Sequence, residues 1–219
     1  MVNAIQLRCK YLLFYDRSVY FCIIMNKAER TRQFIIETAA PIINRKGMAG
    51  TSLSDIMAAT KLAKGCLYGH FENKDEICLE AFNYLAKKYA TERDVVLSNY
   101  SSAKAKLFAY LKYFEEGQFR DEHGGCPVMN FGAESDDTNP VIKERVKQAI
   151  EVSQEKWKNI IQTGINDGEF RSDINAETLA LKFYAMLEGA VLISRIESSG
   201  EQMRMITQLI KDEINSFSR

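Results

Sequence analysis

Side chains that donate hydrogen bonds are concentrated in one stretch of the chain, residues 51–76 (TSLSDIMAATKLAKGCLYGHFENKDE). Hydroxyl, ammonium and imidazole groups are common partners of nucleic-acid phosphates, and lysine also reaches guanine edges. The whole chain has a formal net charge of zero, yet residues 26–74 hold eight basic and four acidic residues, a net charge of +4. Residues 75–219 carry −6 and residues 1–25 carry +2. A basic segment on an acidic body predicts one surface that binds a polyanion.

A second group with chemical potential is the thiol of Cys126, which follows two glycines in the segment from His123 to Pro140 (HGGCPVMNFGAESDDTNP). A cysteine near a helix N-terminus can have a lowered pKa and react with electrophiles or oxidants, so one hypothesis is a thiol-based sensor. The alternative is a small buried residue at a tight turn. The cysteine count is five, with no C-x-x-C pair, which argues against a disulfide framework or a zinc site and favours a reducing cytoplasm.

Signatures of other chemistries are missing from the sequence. There are two histidines outside any ligand-spaced cluster, no nucleophile–base pattern, no glycine-rich phosphate loop and no H-E-x-x-H. We therefore predict no catalytic residues, no metal site and no cofactor. Three acidic residues, Glu134, Asp136 and Asp137, lack the pattern of a cation-binding loop, so we interpret them as solvated or helix-capping residues.

Helical periodicity of apolar residues runs through most of the chain, and no strand pattern stands out, so the predicted fold class is all-α. The capping pairs Ser52 with Asp55 and Asn73 with Glu76 predict the starts of the second and fourth helices. Gly47 predicts the end of the first helix. The predicted helices cover residues 27–46, 53–60, 64–70, 73–97, 103–120, 140–166, 176–198 and 201–217.

The second and third predicted helices are short, joined by about three residues and flanked by long helices, which is the layout of a helix-turn-helix. In detail, residues 32–76 resemble the N-terminal domain of the TetR/AcrR family of bacterial transcriptional regulators. Leu67-Tyr68-Gly69-His70-Phe71 followed by Lys74 is similar to the family signature L-Y-x-H-F-x-x-K. Outside residues 32–76 the resemblance extends only to the helix layout. Lys61 and Ala63 depart from the glycine and the Ser/Thr cap that the family has in the turn.

The resemblance implies DNA-binding roles for eight residues in this N-terminal, three-helix domain. Thr51 and Ser52, at the start of the second helix, contact phosphate. Lys64, Gly65 and Cys66, which open the third helix, face the major groove. Tyr68, His70 and Lys74 contact phosphates, and Lys74 does so at a helix N-terminus, which favours an anion.

For the rest of the chain the resemblance implies a homodimer paired through the last two helices and an effector pocket among the middle helices. The predicted interface residues are Ala185, Gly189 and Leu209, because small side chains let a partner helix approach closely. An intramolecular core is the alternative for these positions. Mostly aromatic side chains are the candidate pocket walls, although aromatic residues at helical spacing are also typical of a plain core. They are Phe108, Phe114, Cys126, Phe131, Trp157, Phe183 and Tyr184.

The sequence predicts three segments: an extension outside the fold at residues 1–24, a helix-turn-helix domain at 25–74, and a helical effector-binding and dimerisation domain at 75–219. The extension is interpreted as an upstream start or an accessory arm. Its apolar run is interrupted by Asp16 and Arg17 and is too short to cross a bilayer. We therefore expect a cytoplasmic protein without a membrane partner.

Together these features predict a non-enzymatic, ligand-responsive regulator, a repressor that a small-molecule effector releases from a palindromic double-stranded DNA operator. One alternative is a repressor that senses electrophiles or oxidants through Cys126. Another, from a different class, is a helical small-molecule-binding protein or enzyme that does not bind DNA. The sequence does not separate a repressor from an activator.

Overall fold

The computed structural model of the chain describes residues 26–116 and 124–219. The predicted extension at 1–24, and the end of the predicted helix at 120, lie outside the described residues. The described residues form nine α-helices and no named strand, which confirms the all-α prediction. The helices are α1 Lys27–Lys46, α2 Leu53–Thr60, α3 Lys64–Tyr68, α4 Lys74–Ser98, α5 Ala103–Glu115, α6 Pro127–Ser135, α7 Pro140–Asn166, α8 Ala176–Ile196 and α9 Glu201–Phe217.

The first three helices form a small head that packs against the N-terminal half of α4. Its interior is apolar: Ile35 and Ile56 are fully buried. Arg32 ties the head to α4, because its guanidinium lies 2.8 Å from the Glu76 carboxylate and 4.7 Å from the centre of the Phe71 ring. The head therefore has its own core and a fixed attachment to the long helix that leads into the body.

Three helices are shorter than their sequence pattern predicts. The helix predicted over residues 103–120 ends at Glu115, because Glu116 forms its C-cap and the chain turns there. The third helix ends at Tyr68 rather than His70, because Gly69 forms its C-cap and the chain turns there. Helix α8, predicted over residues 176–198, ends at Ile196, because Glu197 caps it and Ser198 adopts a positive φ of 49°. All three helices end where local backbone geometry stops a helix whose side-chain pattern continues.

The body is built from α5 and α7–α9, with α4 running into it from the head. At its centre Trp157 is fully buried and stacks on Tyr110, with ring centres 4.3 Å apart and planes at 10°. Phe183 meets the same indole edge-on at 6.0 Å. Within residues 26–116 and 124–219, no helix has both the length and the apolar character needed to cross a membrane.

Candidate DNA interface and effector cavity

The third helix presents one face to solvent and one to the head. Leu67 points inward and is 1% exposed, whereas Lys64, Gly65 and Tyr68 are exposed. The Lys64 ammonium lies 5.7 Å from the centre of the Tyr68 ring, so the amine and the phenol occupy one patch. No atom lies within 4 Å of the point where a side chain on Gly65 would begin. This face offers a cation, a hydroxyl and a stretch of uncovered backbone to an approaching partner.

The turn before this helix departs from the usual turn chemistry. Lys61 has a φ of 59°, in the left-handed region that favours glycine. Ala63 occupies the N-cap of α3 and supplies no side-chain hydrogen bond. The turn nevertheless closes, since the Lys61 amide donates to the Met57 carbonyl. A lysine at this left-handed position places one more cation beside the exposed face of α3.

The second helix begins with a complete capping box. The Ser52 hydroxyl accepts from the Asp55 amide at 3.1 Å, and the Asp55 carboxylate accepts from the Ser52 amide at 2.8 Å. The Lys46 ammonium lies 2.6 Å from the same carboxylate, and these bonds hold the pKa of Asp55 well below its usual range. Thr51 is different: it is 1% exposed and its hydroxyl donates to the Gly47 carbonyl at 2.7 Å. Burial turns this hydroxyl away from any phosphate, so the side-chain role predicted for Thr51 is not supported.

Lys74, the first residue of α4, is engaged within the head. Its ammonium donates to the Met48 carbonyl at 2.7 Å and to the Thr51 carbonyl at 3.0 Å. The side chain therefore fastens the turn between α1 and α2 to the start of α4. Cys66, within α3, and His70, just after it, are partly exposed. All seven remaining predicted residues belong to the head or to the first turn of α4 bound to it: Ser52, Lys64, Gly65, Cys66, Tyr68, His70 and Lys74.

A cavity of about 250 Å³ lies between α4, α5, the start of α6, α7 and α8. Its wall is largely aromatic. Burial raises the pKa values of Tyr89 and Tyr110 to about 12, and those of Tyr113 and Tyr184 still further. These phenols consequently stay neutral and serve as hydrogen-bonding groups on apolar rings. The aromatic lining residues are Tyr89, Tyr110, Tyr113, Phe114 and Tyr184.

Three buried polar groups besides the phenols face this cavity: the guanidinium of Arg93, the thiol of Cys126 and the carboxyl of Glu188. Arg93 is 7% exposed, and its Nε donates to the Asp94 carboxylate at 3.0 Å while the guanidinium lies 5.9 Å from the centre of the Tyr110 ring. Glu188 is also 7% exposed, and burial raises its pKa to about 7. The cavity therefore carries a partnered cation and a buried acid.

The environment of Cys126 corrects the expectation of an acidic thiol. The residue is the N-cap of α6 and is 4% exposed. Burial, together with the neighbouring Glu188 carboxyl, raises the pKa of the thiol well above its ordinary value. The amides of Val128 and Met129 act in the opposite direction, but they do not outweigh the loss of hydration. A protonated, buried thiol is a poor nucleophile, so the structure does not favour a thiol-based sensor.

The short helix α6 connects the cavity to the head. At its start, Cys126 and Pro127 line the cavity. One turn further on, the side-chain amide of Asn130 donates to the backbone carbonyl of Asn44 in α1 at 2.8 Å. Near its end, the Glu134 carboxylate accepts from the Met48 and Ala49 amides, each at 2.9 Å. Glu134 thus binds the turn that leads into the helix-turn-helix. Within residues 26–116 and 124–219, no group of three or more His, Cys, Asp or Glu residues is placed to hold a metal ion.

The cavity contains some of the predicted pocket residues and omits others. Phe114, Cys126 and Tyr184 line it. Phe131, Trp157 and Phe183 are buried core residues that do not line it, and Phe108 packs at the edge of the core. The other lining residues were not predicted, and two of them, Arg93 and Glu188, carried a usable signal as charged side chains on otherwise buried helical stripes. The aromatic residues among those not predicted are Tyr89, Tyr110 and Tyr113.

The outer faces of α8 and α9 are apolar and exposed. Leu181 and Leu209 are each 56% exposed, and Ile196 is 75% exposed. Ala185 is exposed on the same side, and no atom lies within 4 Å of the point where a side chain on Gly189 would begin. The three predicted interface residues therefore occupy uncovered positions of α8 and α9, and we call the outer surface of these two helices the α8–α9 face.

Comparison with known proteins gives matches over both parts of the chain. The profile described as "Bacterial regulatory proteins, tetR family" matches residues 35–81, and the profile described as "Tetracyclin repressor-like, C-terminal domain" matches residues 103–210. The HTH-type transcriptional repressor DhaR of Mycobacterium sp. (strain GP1) is 25% identical over 176 residues, covering 78% of this chain and 86% of its own.

Solved structures agree with these matches. A TetR transcriptional regulator from Chloroflexus aurantiacus J-10-FL is 38% identical, with a TM-score of 0.84, and the alignment covers 89% of this chain and 99% of that one. A cysteine mutant of the TetR family regulator CifR, solved with 26-bp double-strand operator DNA, shares the fold at 20% identity and a TM-score of 0.71, covering 82% and 94% of the two chains. With its helix-turn-helix head and helical body, the chain belongs to the TetR family of bacterial transcriptional regulators.

Proposed function

We propose that this protein is a homodimeric repressor that binds a palindromic operator and leaves it when a small molecule occupies the cavity. The observation that carries the proposal is the exposed face of α3, where Lys64, Gly65 and Tyr68 lie together on a head fixed by a capping box and by Lys74. Lysine can reach phosphate or guanine, and the phenol can donate to phosphate. The fold shared with CifR, which has been solved on operator DNA, supports the same partner.

Responsiveness to a ligand is supported by the route from the cavity to the head. The N-terminus of α6 lines the cavity, and Glu134 near its other end accepts from two amides of the turn that leads into α2. A ligand that displaces Cys126 or Pro127 would move α6 and, with it, that turn. DNA affinity would then fall by the ratio of the ligand's affinities for the two arrangements.

The α8–α9 face supports pairing with a second copy of the chain. Its exposed leucine, isoleucine and alanine side chains form an apolar surface of the type that soluble proteins cover. A twofold interface places two α3 helices in successive major grooves, and the operator half-sites would then be about ten base pairs apart. We also propose that the protein acts in the cytoplasm and has no enzymatic activity, since a regulator of this kind needs neither export nor turnover.

Binding-site selection from random duplexes tests this proposal. We expect enrichment of an inverted repeat whose half-sites are separated by about one helical turn, and footprints on one face of the duplex. Recovery of non-repeated sequences, or the absence of any enriched sequence, would refute the homodimeric operator-binding function. A reporter gene placed behind the selected site separates repression from activation.

A further inference from the structure

Glu188 is a buried acid, and none of the described residues supplies a counter-charge that alters its pKa. Its side chain projects from α8 into the cavity with only 7% of the residue exposed. The Cys126 thiol and the Tyr184 hydroxyl lie beside it and favour its charged form, but burial dominates and the pKa rises to about 7. Within the part of the chain that the structure describes, Glu188 Oε2 and the Tyr184 hydroxyl make no hydrogen bond of normal geometry. Two neighbouring buried oxygens at the cavity wall therefore lack a well-formed hydrogen bond.

The cations around the cavity do not neutralise this acid. Arg93, from α4, is engaged by Asp94 and by the Tyr110 ring, and it is not among the groups that alter the pKa of Glu188. Lys87 and Arg145 lie at the exposed rim, and Arg145 donates to Asn83. The groups that face Glu188 from α5, α6 and its own helix are Tyr110, Cys126 and Tyr184, all neutral at physiological pH.

A bound cation would satisfy both unpartnered oxygens. An ammonium group has three donors and no acceptor, so it can donate to Glu188 Oε2 and to the Tyr184 oxygen together. The aromatic residues that line the cavity can add favourable cation–π contact. A carboxylate ligand would place a second anion beside Glu188, and a neutral ligand would offer no charge to compensate Glu188 when it ionises.

We propose that the effector is a compact organic cation, an amine on an aromatic or aliphatic body, whose ammonium donates to Glu188 and Tyr184 while the body fills the aromatic cavity. The volume of about 250 Å³ accommodates roughly ten non-hydrogen atoms at liquid-like density. This inference rests on the proposed function, because it assigns a ligand class to the cavity that the repressor proposal makes the effector site.

Three probes of one shape and different charge test the proposal: phenylpropylamine, phenylpropanol and phenylpropanoate. Binding to the DNA-free protein is measured by calorimetry and by the emission of Trp157, the single tryptophan, which stacks on the cavity residue Tyr110. We expect the amine to bind at least about tenfold more tightly than the other two. At pH 7 its binding should release about half a proton, because the cation ionises Glu188, and calorimetry in two buffers measures that release.

Variants locate the effect. Glu188→Gln should reduce the affinity of the protein for the amine to its affinity for the alcohol, and should abolish the proton release. Tyr184→Phe, which keeps the ring, should weaken only the amine. Glu177→Gln is the matched control, because it removes an exposed carboxylate from the same helix, away from the cavity. Circular dichroism and thermal melting check that each variant is folded.

Several outcomes would overturn the proposal: equal or tighter binding of the alcohol or the carboxylate, an amine preference that survives Glu188→Gln, or no saturable amine binding up to its solubility limit. The outcome is distinguishable from a failure of the proposed function. If the protein binds the amine selectively but no operator is found, the cation site is supported and the repressor function is refuted. If an operator is found but the amine is not preferred, the repressor function is supported and only this inference is refuted.

Discussion

Replacing Glu188 by glutamine should make the protein more stable at neutral and alkaline pH, although it removes a buried carboxyl at the centre of the body. Glutamine has nearly the same shape but needs no proton to remain neutral. The native carboxyl is 7% exposed and its Oε2 lacks a hydrogen-bond partner within the described residues, so its ionised form is poorly accommodated. The variant retains the packing and avoids only the free-energy cost of ionising a buried carboxyl.

The magnitude follows from the pKa. Folding raises the pKa of Glu188 from 4.5 to about 7, so between these values the native state holds a proton that the unfolded state releases. Stability of the native protein therefore falls, relative to the variant, as pH rises from 4.5 through about 7, and the loss is complete above that. A shift of this size corresponds to an upper limit of about 3 kcal/mol. Tyr110, Cys126 and Tyr184 stay neutral across the window, so they do not obscure it.

Urea unfolding of the DNA-free protein at a series of pH values measures this difference. The difference in free energy of unfolding between Glu188→Gln and the native protein should be small near pH 5 and grow by about 2 to 3 kcal/mol at pH 8. Glu177→Gln, on the exposed side of the same helix, should show no such rise. A pH-independent difference, or one that falls with pH, would refute the assignment of a buried, uncompensated acid.

Three further changes test other parts of the structure. Lys61→Gly should raise the free energy of unfolding by about 1 kcal/mol, because glycine adopts the φ of 59° without strain; an unchanged or lower value in urea unfolding would contradict this. Glu134→Gln should lower it by about 1 kcal/mol, because the carboxylate accepts from two amides of the head, and unaltered unfolding would show that this contact contributes nothing. Leu209→Glu should convert a dimer to a monomer in sedimentation experiments, whereas Val95→Glu, which changes an equally exposed apolar residue on α4, should not; a persistent dimer would exclude the α8–α9 face.

Local sequence signals located most of the helices correctly. The Ser52–Asp55 capping box is complete, and Asn73 accepts from the Glu76 amide at the start of α4. These bonds form between residues three apart, so the sequence alone determines them. The same holds for Gly47, whose amide closes the end of α1.

The cavity could not be predicted in the same way, because distant residues determine it. The expected low pKa of Cys126 was a local argument from the helix N-terminus, and burial beside Glu188 of α8 reverses its sign. Aromatic spacing likewise did not separate core from pocket: Trp157 and Phe183 fill the core, whereas Phe114 lines the cavity. Thr51 matches its family position, yet its hydroxyl is buried against Gly47.

Fluorescence anisotropy with the selected operator tests the central claim, that the exposed face of α3 reads DNA, most directly. The native protein should bind saturably, with an affinity that falls steeply as salt rises, and a scrambled duplex should bind far more weakly. Tyr68→Ala should lose at least about tenfold in affinity, whereas Tyr100→Ala, which removes a similarly exposed tyrosine outside the head, should lose nothing. Equal binding by both variants, or equal affinity for the operator and the scrambled duplex, would contradict the account.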